Sequence, residues 1–541
     1  MRGRDGWMDT QVLIVGAGPV GLTLAIDLGK RGVRATLIEK NASPLGYPKM
    51  ERCNPRTMEI FRRLGIAEEV RAAGYPQDWP MDVYLIFDLM RPPLWKMSYP
   101  TVAQAKAKRD RTNDGSMPLE PYQIISQYTL EPLLKSIAQR IANVDIRFGH
   151  EFESFEEIGG GVRANIRKLD GSSVAIEAEY LVGCDGASSA VRKQLGFQME
   201  GEAHIRELRQ ALFHCPALYD KVCAPRARHY HRIDDHWTLL IVQDSRKHFT
   251  IHAIVDSDEG MARLFEATVG TPIEYEMLYC AKWTQRLLLS EHYSRERVFL
   301  AGDACHLVIP TGGLGMNTGV GDATDLSWKL AATLAGWGGP HLLASYEAER
   351  RPVGAQNIKA SGQGTSGRAT WRAAYRPGID ADTPEAKAAL DHLLAIAKVE
   401  APKTFRVIGA ELGYRYANSP IIFDEPGGPE PNYADYVPTS WPGARLPHVW
   451  IEPGKVSVHD RIRSDCFTLL CLGEPAAQAQ ALVSAFESRR VPIDVIRLDV
   501  EAARQVYGFP YLLLRPDLHV AWRGRQLRDA ADEIAARMSG H

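Results

Sequence analysis

"QVLIVGAGPVGLTLAIDLGKRGVRATLIEK", Gln11–Lys40, passes from one apolar stretch through three glycines to a second apolar stretch that ends in an acid. Val12 to Val15 has the composition of a strand buried on both faces, and Ala35 to Ile38 that of its parallel neighbour. Leu22 to Leu28 reads as the helix between them. Gly16, Gly18 and Gly21 stand at G-x-G-x-x-G spacing, with Ala17, Pro19 and Val20 filling the turn. Glycine lets such a turn close and lets backbone approach a pyrophosphate, while the helix start offers free N–H groups and the positive end of its dipole. Glu39, at the end of the second strand, can accept hydrogen bonds from ribose hydroxyls. Strand, glycines, helix and acid in this order predict dinucleotide binding.

"GQGTSG", Gly362 to Gly367, has the same glycine spacing in a different setting. It follows "NIKAS", which is no buried strand, and no acid-ended second strand comes after it. It reads as a flexible connection, so a nicotinamide would have to bind without a second glycine-rich domain.

Two later segments repeat the strand-then-glycine design. "YLVGCDGASSAVRKQLG", from Tyr180, carries Asp185, Gly186 and Arg192; "RVFLAGDACHLVIPTGGLGMNTGVGDATDLSWKLAATLAG", from Arg297, carries Asp303, a glycine-rich loop and a long helix starting near Met316 with exposed backbone donors. Cys305 and His306 invite a nucleophile or a metal. Adjacent residues on a strand face opposite ways, and zinc needs three or four ligands, so neither role is expected and no metal is. The glycines are explained by cofactor binding instead.

The 541 residues exceed one core, so two or three domains are expected, with one interrupting another. Sixty-four basic against 66 acidic residues leave a net charge of -2 and no long basic run, which makes nucleic acid and anionic membranes poor partners. The apolar run after the N-terminus is too short for a leader core or a membrane span, and a soluble cytoplasmic protein is expected. Eight cysteines without C-x-x-C, the nearest pair being Cys466 and Cys471, read as reduced and mostly buried.

Between the anchors, "MDVYLIFD", "HWTLLIVQ" and "HFTIHAIV" read as strands of a separate sheet. Tyr84, Phe87, Trp95 and Trp237 either line a pocket there or fill its core. "RHYHRIDDHW" adds His229, Tyr230, His231 and His236, each read by itself as an ordinary sheet side chain. Near the end, "CFTLLCLGEPAAQAQALVSAFESRRVPIDVIRL" reads strand, helix, strand, and "PYLLLRPDLHVAWRG" a hairpin before a last helix.

Taken together, "GAGPVG" with "EK", "CDGASSAVR" and "GDACHLVIPTGGLGMNTGVGDATDLSWKLA", supported by "NPRTMEIFRRLGI" and "QYTLEPLL", resemble the class A FAD-dependent aromatic monooxygenases: the phenol, p-hydroxybenzoate and polyketide aromatic hydroxylases. The resemblance covers most of the first 355 residues. It implies an α/β and α+β architecture: a discontinuous Rossmann-like FAD-binding domain (8–80, 120–200, 285–360) and a β-sheet substrate domain (81–119, 201–284). A helical and loop connection (361–435) then leads to a thioredoxin-like C-terminal domain (436–541), without dithiol chemistry and with a packing or dimer role.

By position, the resemblance makes the turn from Gly16 to Gly21, Glu39 and Lys40 the ADP side of FAD, with Gln127 nearby. Asp303 would hold the ribitol, and Gly315, Met316 and Asn317 would lie beside the flavin ring. Asp185 and Gly186 are associated in that family with both FAD and NAD(P)H. Lys49 stands where many relatives carry Arg, keeping the charge of a phosphate contact but losing the fork. Asp325 stands where Asn is frequent. Glu51 falls where phenol hydroxylases place an acid near the substrate; the competing reading is a salt bridge to Lys49 or Arg52.

The implied activity is an FAD- and NAD(P)H-dependent monooxygenase that takes up dioxygen and hydroxylates a phenolic ring through a flavin C4a-hydroperoxide, with a homodimer by family resemblance. Ionising a phenol of pKa near 10 at pH 7 costs about 4 kcal/mol, so a base or acceptor near the ring is expected. Two alternatives use the same residues: epoxidation or Baeyer-Villiger oxidation of a polyketide-like substrate, and flavin binding without oxygenase turnover.

Overall fold

Burial on both faces makes the first strand a central one. Val12, Leu13 and Ile14 are fully buried in Thr10–Val15, which lies between the parallel strands Ser173–Gly183 and Ala35–Glu39. Val298–Leu300 adds parallel outside Ser173–Gly183, and Val144–Phe148 outside Ala35–Glu39. The antiparallel strands His150–Ile158 and Gly161–Lys168 extend the sheet from one side of Ser173–Gly183. The computed structural model describes residues 8–243, 246–473, 479–527 and 531–541; residues 1–7, the start of the segment read for a leader, lie outside the described residues.

Two helices cover the strand ends where the glycines collect. Pro19–Lys30 packs against Gly315–Leu334, and glycine is what lets them meet. A Cβ on Gly319 would stand 2.5 Å from Val20 Cγ2 and 2.9 Å from Gly302 Cα.

A second sheet has eight described strands in the order His306–Leu307, Glu276–Ser290, Met199–His214, His248–Ala253, Leu239–Val242, His229–Arg232, Val83–Ile86, Trp95–Met97. The three strands expected from apolar and β-branched content are among them. Side chains alternate between its faces. Tyr230, Leu240, Phe249, Ile251 and Phe213 form one core with helix Asp258–Val269. The register places His229, Ile241 and Thr250 on the other face, along with His231, Leu239, His252 and Gln210. Helices Pro340–Arg372 and Pro384–Glu400 approach that face, where Trp371 and Leu393 join Val83 and Leu85.

The helix Pro340–Arg372 corrects one expectation. Gly362 to Gly367 is no flexible connection but the interior of this 33-residue helix. Its glycines serve packing: a Cβ on Gly364 would lie 2.8 Å from Thr311 Cγ2, and one on Gly367 2.8 Å from the Glu400 carbonyl oxygen. Tertiary contact has overridden the local tendency of glycine to break a helix.

The C-terminal sheet runs Ile493–Leu498, Phe467–Leu472, Tyr511–Leu514, Val520–Gly524, parallel at the first pair and antiparallel after it. Helices Gln480–Ser488 and Ala531–Ser539 pack on one face, giving the strand–helix–strand and hairpin expected. All eight cysteines are free thiols, and only Cys223 is exposed. No helix among the described residues is long and apolar enough to cross a membrane.

Candidate active site

The glycine turn is built by exclusion of side chains. Gly16 has φ +104°, and a Cβ there would stand 2.5 Å from the Cys184 carbonyl oxygen; a Cβ on Gly21 would stand 2.1 Å from the Gly16 oxygen. Gly18 differs, because nothing lies within 4 Å of its Cβ position. It is the N-cap of Pro19–Lys30 and no side chain caps that helix, so backbone donors face open space there. Ala17 N–H donates to Glu39 Oε2 at 3.0 Å, and Asn41 N–H to Glu39 Oε1 at 2.9 Å, which fixes the acid beside the turn. Lys40 is exposed next to it.

The loop after Val298–Leu300 approaches the same helix start. Asp303 is exposed, yet the protein packed around it raises its carboxyl above the usual range while His306 and Lys49 pull it down. Gln127 opens the helix Gln127–Gln139; its N–H donates to the Met50 carbonyl at 3.0 Å and its Nε2 to Glu131 Oε1 at 2.6 Å. Lys49 lies exposed with Nζ 5.9 Å from the Tyr47 ring. Asp185 sits against Gly16 and caps the helix Ala190–Leu195, accepting from Ala190 N–H at 2.7 Å and Val191 N–H at 3.2 Å.

The second helix start, at Gly315, also lacks a side-chain cap. Met316 is partly buried against the core that holds Val12, Leu13 and Ile14. Asn317 works as a clamp: its Oδ1 accepts from Asn54 N–H at 2.9 Å, and its Nδ2 donates to the carbonyls of Arg52 at 3.0 Å and Gly313 at 2.6 Å. Arg52 Nη1 in turn donates to the Gly312 carbonyl at 3.2 Å. This ties the glycine-rich loop to the segment that carries Glu51.

Cys305 and His306 are bonded to different partners. Cys305 Sγ bonds the Gly302 carbonyl at 3.3 Å, and His306 Nε2 meets Asp322 Oδ2 at 2.7 Å. Asp322 is the third member of the metal-sized group that these residues form among the described residues. Its oxygens are taken by His306, by Gly302 N–H at 3.1 Å and by Arg350 Nε at 2.8 Å, a set that braces the loop from beneath.

Glu51 takes neither partner expected from sequence. Arg52 pairs with Glu411 at 2.5 Å, whereas Glu51 Oε1 accepts from Arg228 Nε at 3.0 Å, from Arg228 Nη2, and from His229 Nε2 at 2.8 Å. Burial pushes the Glu51 carboxyl up, but Arg228 and His229 more than offset it and hold it at about 2. An ionised carboxylate only accepts, so His229 carries its proton on Nε2, and its Nδ1 has no hydrogen-bond partner. Burial also holds His229 below its usual 6.5, with Glu51 opposing. The strand's alternation was the available signal: His229 and His231 share a face, with Tyr230 buried on the other and bonded to the Pro225 carbonyl at 2.6 Å. His236 is exposed and meets the Ile254 carbonyl at 3.1 Å, outside this group.

A glycine turn that leaves room at Gly18, an acid placed beside it and two uncapped helix starts suit a dinucleotide carrying a second ring system. The family model described as "FAD binding domain" matches residues 9–361, and "Aromatic-ring hydroxylase, C-terminal" matches 439–541. The chain belongs to the FAD-dependent aromatic-ring monooxygenases. Its relatives include the FAD-dependent monooxygenase apdD of Emericella nidulans, 33% identical over 98% of this chain and 90% of that one. Among solved structures this monooxygenase is similar to RebC with bound 7-carboxy-K252c, at 32% identity and TM-score 0.89 over 98% and 99% of the two chains. It is also similar to aklavinone-11 hydroxylase with FAD and aklavinone, at 26% identity and TM-score 0.82 over 99% and 100%.

Proposed function

We propose that this monooxygenase hydroxylates a phenolic aromatic ring, using NAD(P)H as reductant and dioxygen as oxidant, and that it works in the cytoplasm as a dimer. Relatives named phenol 2-monooxygenase, 2,4-dichlorophenol 6-monooxygenase and aklavinone 12-hydroxylase support an aromatic ring as the target. The observation that carries the reading is the clamp of Asn317, Arg52 and Gly312, which joins the glycine-rich loop to a Glu51–His229 pair.

The residues in place fit FAD. The backbone from Gly16 to Gly21 would take the pyrophosphate, Glu39 the ribose, Lys49 a phosphate and Asp303 the ribitol; Gln127 would lie near the cofactor, and Gly315, Met316 and Asn317 beside the flavin ring. When bound, FAD supplies the oxygen-transfer chemistry. An uncapped helix start at Gly315 favours negative charge beside it by roughly 0.3 to 2 kcal/mol, enough to tune a bound group but not to account for catalysis.

The chain's own contribution is to hold and ionise the phenol. Glu51 is too weak a base at pKa about 2 to take a phenolic proton, and acts as a positioning residue for His229. His229 is neutral at pH 7 and accepts through Nδ1, which lowers the roughly 4 kcal/mol that ionisation would otherwise require.

The test is a panel of phenols added to FAD-loaded enzyme, following NAD(P)H oxidation, oxygen uptake and product mass. Substrate-stimulated turnover yielding a product with one added oxygen is expected. His229→Gln should lower kcat by about 10²- to 10⁴-fold and remove the acid limb of the pH profile. Protein that stays colourless with FAD, or a His229→Gln variant with unchanged kcat, would sink the reading at its cofactor or at its base respectively.

A further inference from the structure

The glycine-rich loop rests on a buried ion pair whose acid comes from far along the chain. Glu411 stands 359 positions after Arg52, in the short helix Ile408–Leu412, outside both family-matched regions. That helix is fitted against the loop by backbone and small side chains. Ala410 N–H donates to the Tyr433 carbonyl at 3.0 Å, and Val407 and Ala410 join Leu314 and Ala360 in one small core. Gly312, at φ +82°, has Val407 Cγ1 3.3 Å and the Thr404 carbonyl oxygen 3.4 Å from its Cβ position, so the loop turns directly on this segment.

Arg52 and Glu411 meet fork to fork, with Nη1 2.5 Å from Oε1 and Nη2 3.2 Å from Oε2. Such a pair fixes the plane of the guanidinium as well as its place. Glu411 is 2% exposed, and among the described residues neither member has another ion-pair partner. The guanidinium so held is joined to the loop three times. Nη1 donates to the Gly312 carbonyl at 3.2 Å, the Arg52 carbonyl accepts from Asn317 Nδ2 at 3.0 Å, and the Cβ position of Gly313 lies 3.9 Å from both Cβ and Cδ of Arg52.

The pair also belongs to a balanced set of charges. Burial pushes the Glu411 carboxyl up, with Arg52 and Arg228 opposing, and Arg228 is the cation that binds Glu51. Two arginines and two glutamates therefore leave no net charge beside the loop. Taking up two electrons and one proton makes a bound flavin more negative by one charge, so a cation under the ring's loop favours the reduced form. Arg52 is such a cation, and Glu411 cancels it.

We infer that Glu411 is a positioning residue for the cofactor: through its fork with Arg52 it holds the glycine-rich loop and keeps the reduction potential of bound FAD below the value that the Arg52 cation alone would set. The statement rests on the proposed placement of the flavin ring beside Gly315, Met316 and Asn317. A pair that served only to brace the loop would have no preferred sign of effect on the potential.

The test is the two-electron midpoint potential of bound FAD, read by anaerobic dye-equilibrated titration of the loaded enzyme without substrate, at alkaline pH so that Glu411 stays ionised. Glu411→Gln should raise it by at least about 30 mV, a tenfold change in the ratio of reduced to oxidised flavin. Arg52→Gln should lower it, the double variant Arg52→Gln/Glu411→Gln should return to the wild-type value, and Glu411→Asp, which keeps the charge, should stay close to it. Shifts of one sign in both single Gln variants, no shift in either, or a double variant that stays displaced overturn the assignment. If one single variant does not fold, the sign read from the other decides. Asn317→Ala tests the ring placement separately. A shift there with none at positions 52 and 411 overturns the role of the pair alone, whereas no shift in any of the three removes the ring placement together with it.

Discussion

Glu51 shows how one residue's role is decided by partners that local sequence does not contain. Its carboxyl is buried, which raises it, yet Arg228 and His229 bring it from 4.5 to about 2. A depressed carboxyl stabilises the fold above its unfolded value and loses that contribution as pH falls through the folded value. The window is therefore pH 4.5 down to about 2, and a shift of this size corresponds to about 3 kcal/mol. Acid titration of stability by circular dichroism should show this loss in the wild type, whereas Glu51→Gln, already without the charge, should be less stable at pH 7 and flatter across the window. Parallel curves for the two proteins would mean that the ion pair carries no such energy. Resemblance to phenol hydroxylases pointed to Glu51, but its partners sit 177 and 178 positions away, and only the folded sheet brings them to it. Gly16, Gly21 and Glu39 were legible because their arrangement is local: one turn and the strand beside it.

The helix Pro340–Arg372 makes the same point for an element. Its glycines at Gly362, Gly364 and Gly367 satisfy a nucleotide-binding spacing and read as breakers, yet all are helical. What the chain alone does not show is the surface that this helix must pass. The Cβ position of Gly362 meets only Leu287 Cδ1 at 3.4 Å, ordinary contact, whereas that of Gly367 meets a backbone oxygen at 2.8 Å, which cannot swing aside. Gly362→Ala should therefore gain the helix-propensity difference, up to about 1 kcal/mol. Gly367→Ala should lose more than that gain, by about 1 to 3 kcal/mol, as overpacking forces the helix from the turn at Glu400. Chemical denaturation of the two variants checks the opposite signs; if both stabilise, the packing account of these glycines fails. The substrate-sheet strands were legible because their apolar and β-branched content is that of a strand. Which face held the reactive pair became visible only when helices closed over one of them.

Across the whole molecule, the C-terminal domain is joined to the FAD-binding domain through buried charge. Arg515, in the turn of the C-terminal hairpin, reaches Asp325 at 2.7 Å, Glu349 at 2.6 Å and Asp517 at 2.6 Å; Lys329 meets Asp325 at 2.7 Å and Glu349 at 2.6 Å. This explains the acid at position 325, which sequence comparison marked only as a departure from Asn: it answers a cation from the other domain. Three carboxylates share two cations, so one acid is in excess. Burial pushes the Asp325 carboxyl up to about 7, with Lys329 and Arg515 opposing and Glu349 adding to the rise. Removing the cation should therefore be severe and removing the excess acid mild. Arg515→Met should cost about 3 to 5 kcal/mol, because it leaves buried carboxylates unanswered. Asp325→Asn removes a carboxyl that burial already pushes toward protonation, so it should cost less than Arg515→Met, and in the Arg515→Met background it should recover part of the loss through a coupling of about 0.5 to 3 kcal/mol. Thermal melts of the three variants give the cycle, and FAD retention reads its reach, since Asp325 lies on the helix that begins at Gly315 beside the glycine-rich loop. An Arg515→Met enzyme that melts and holds FAD as the wild type does would show that apolar packing, such as Trp328 against Phe467 with ring centroids 6.0 Å apart, holds the domains together without the charges.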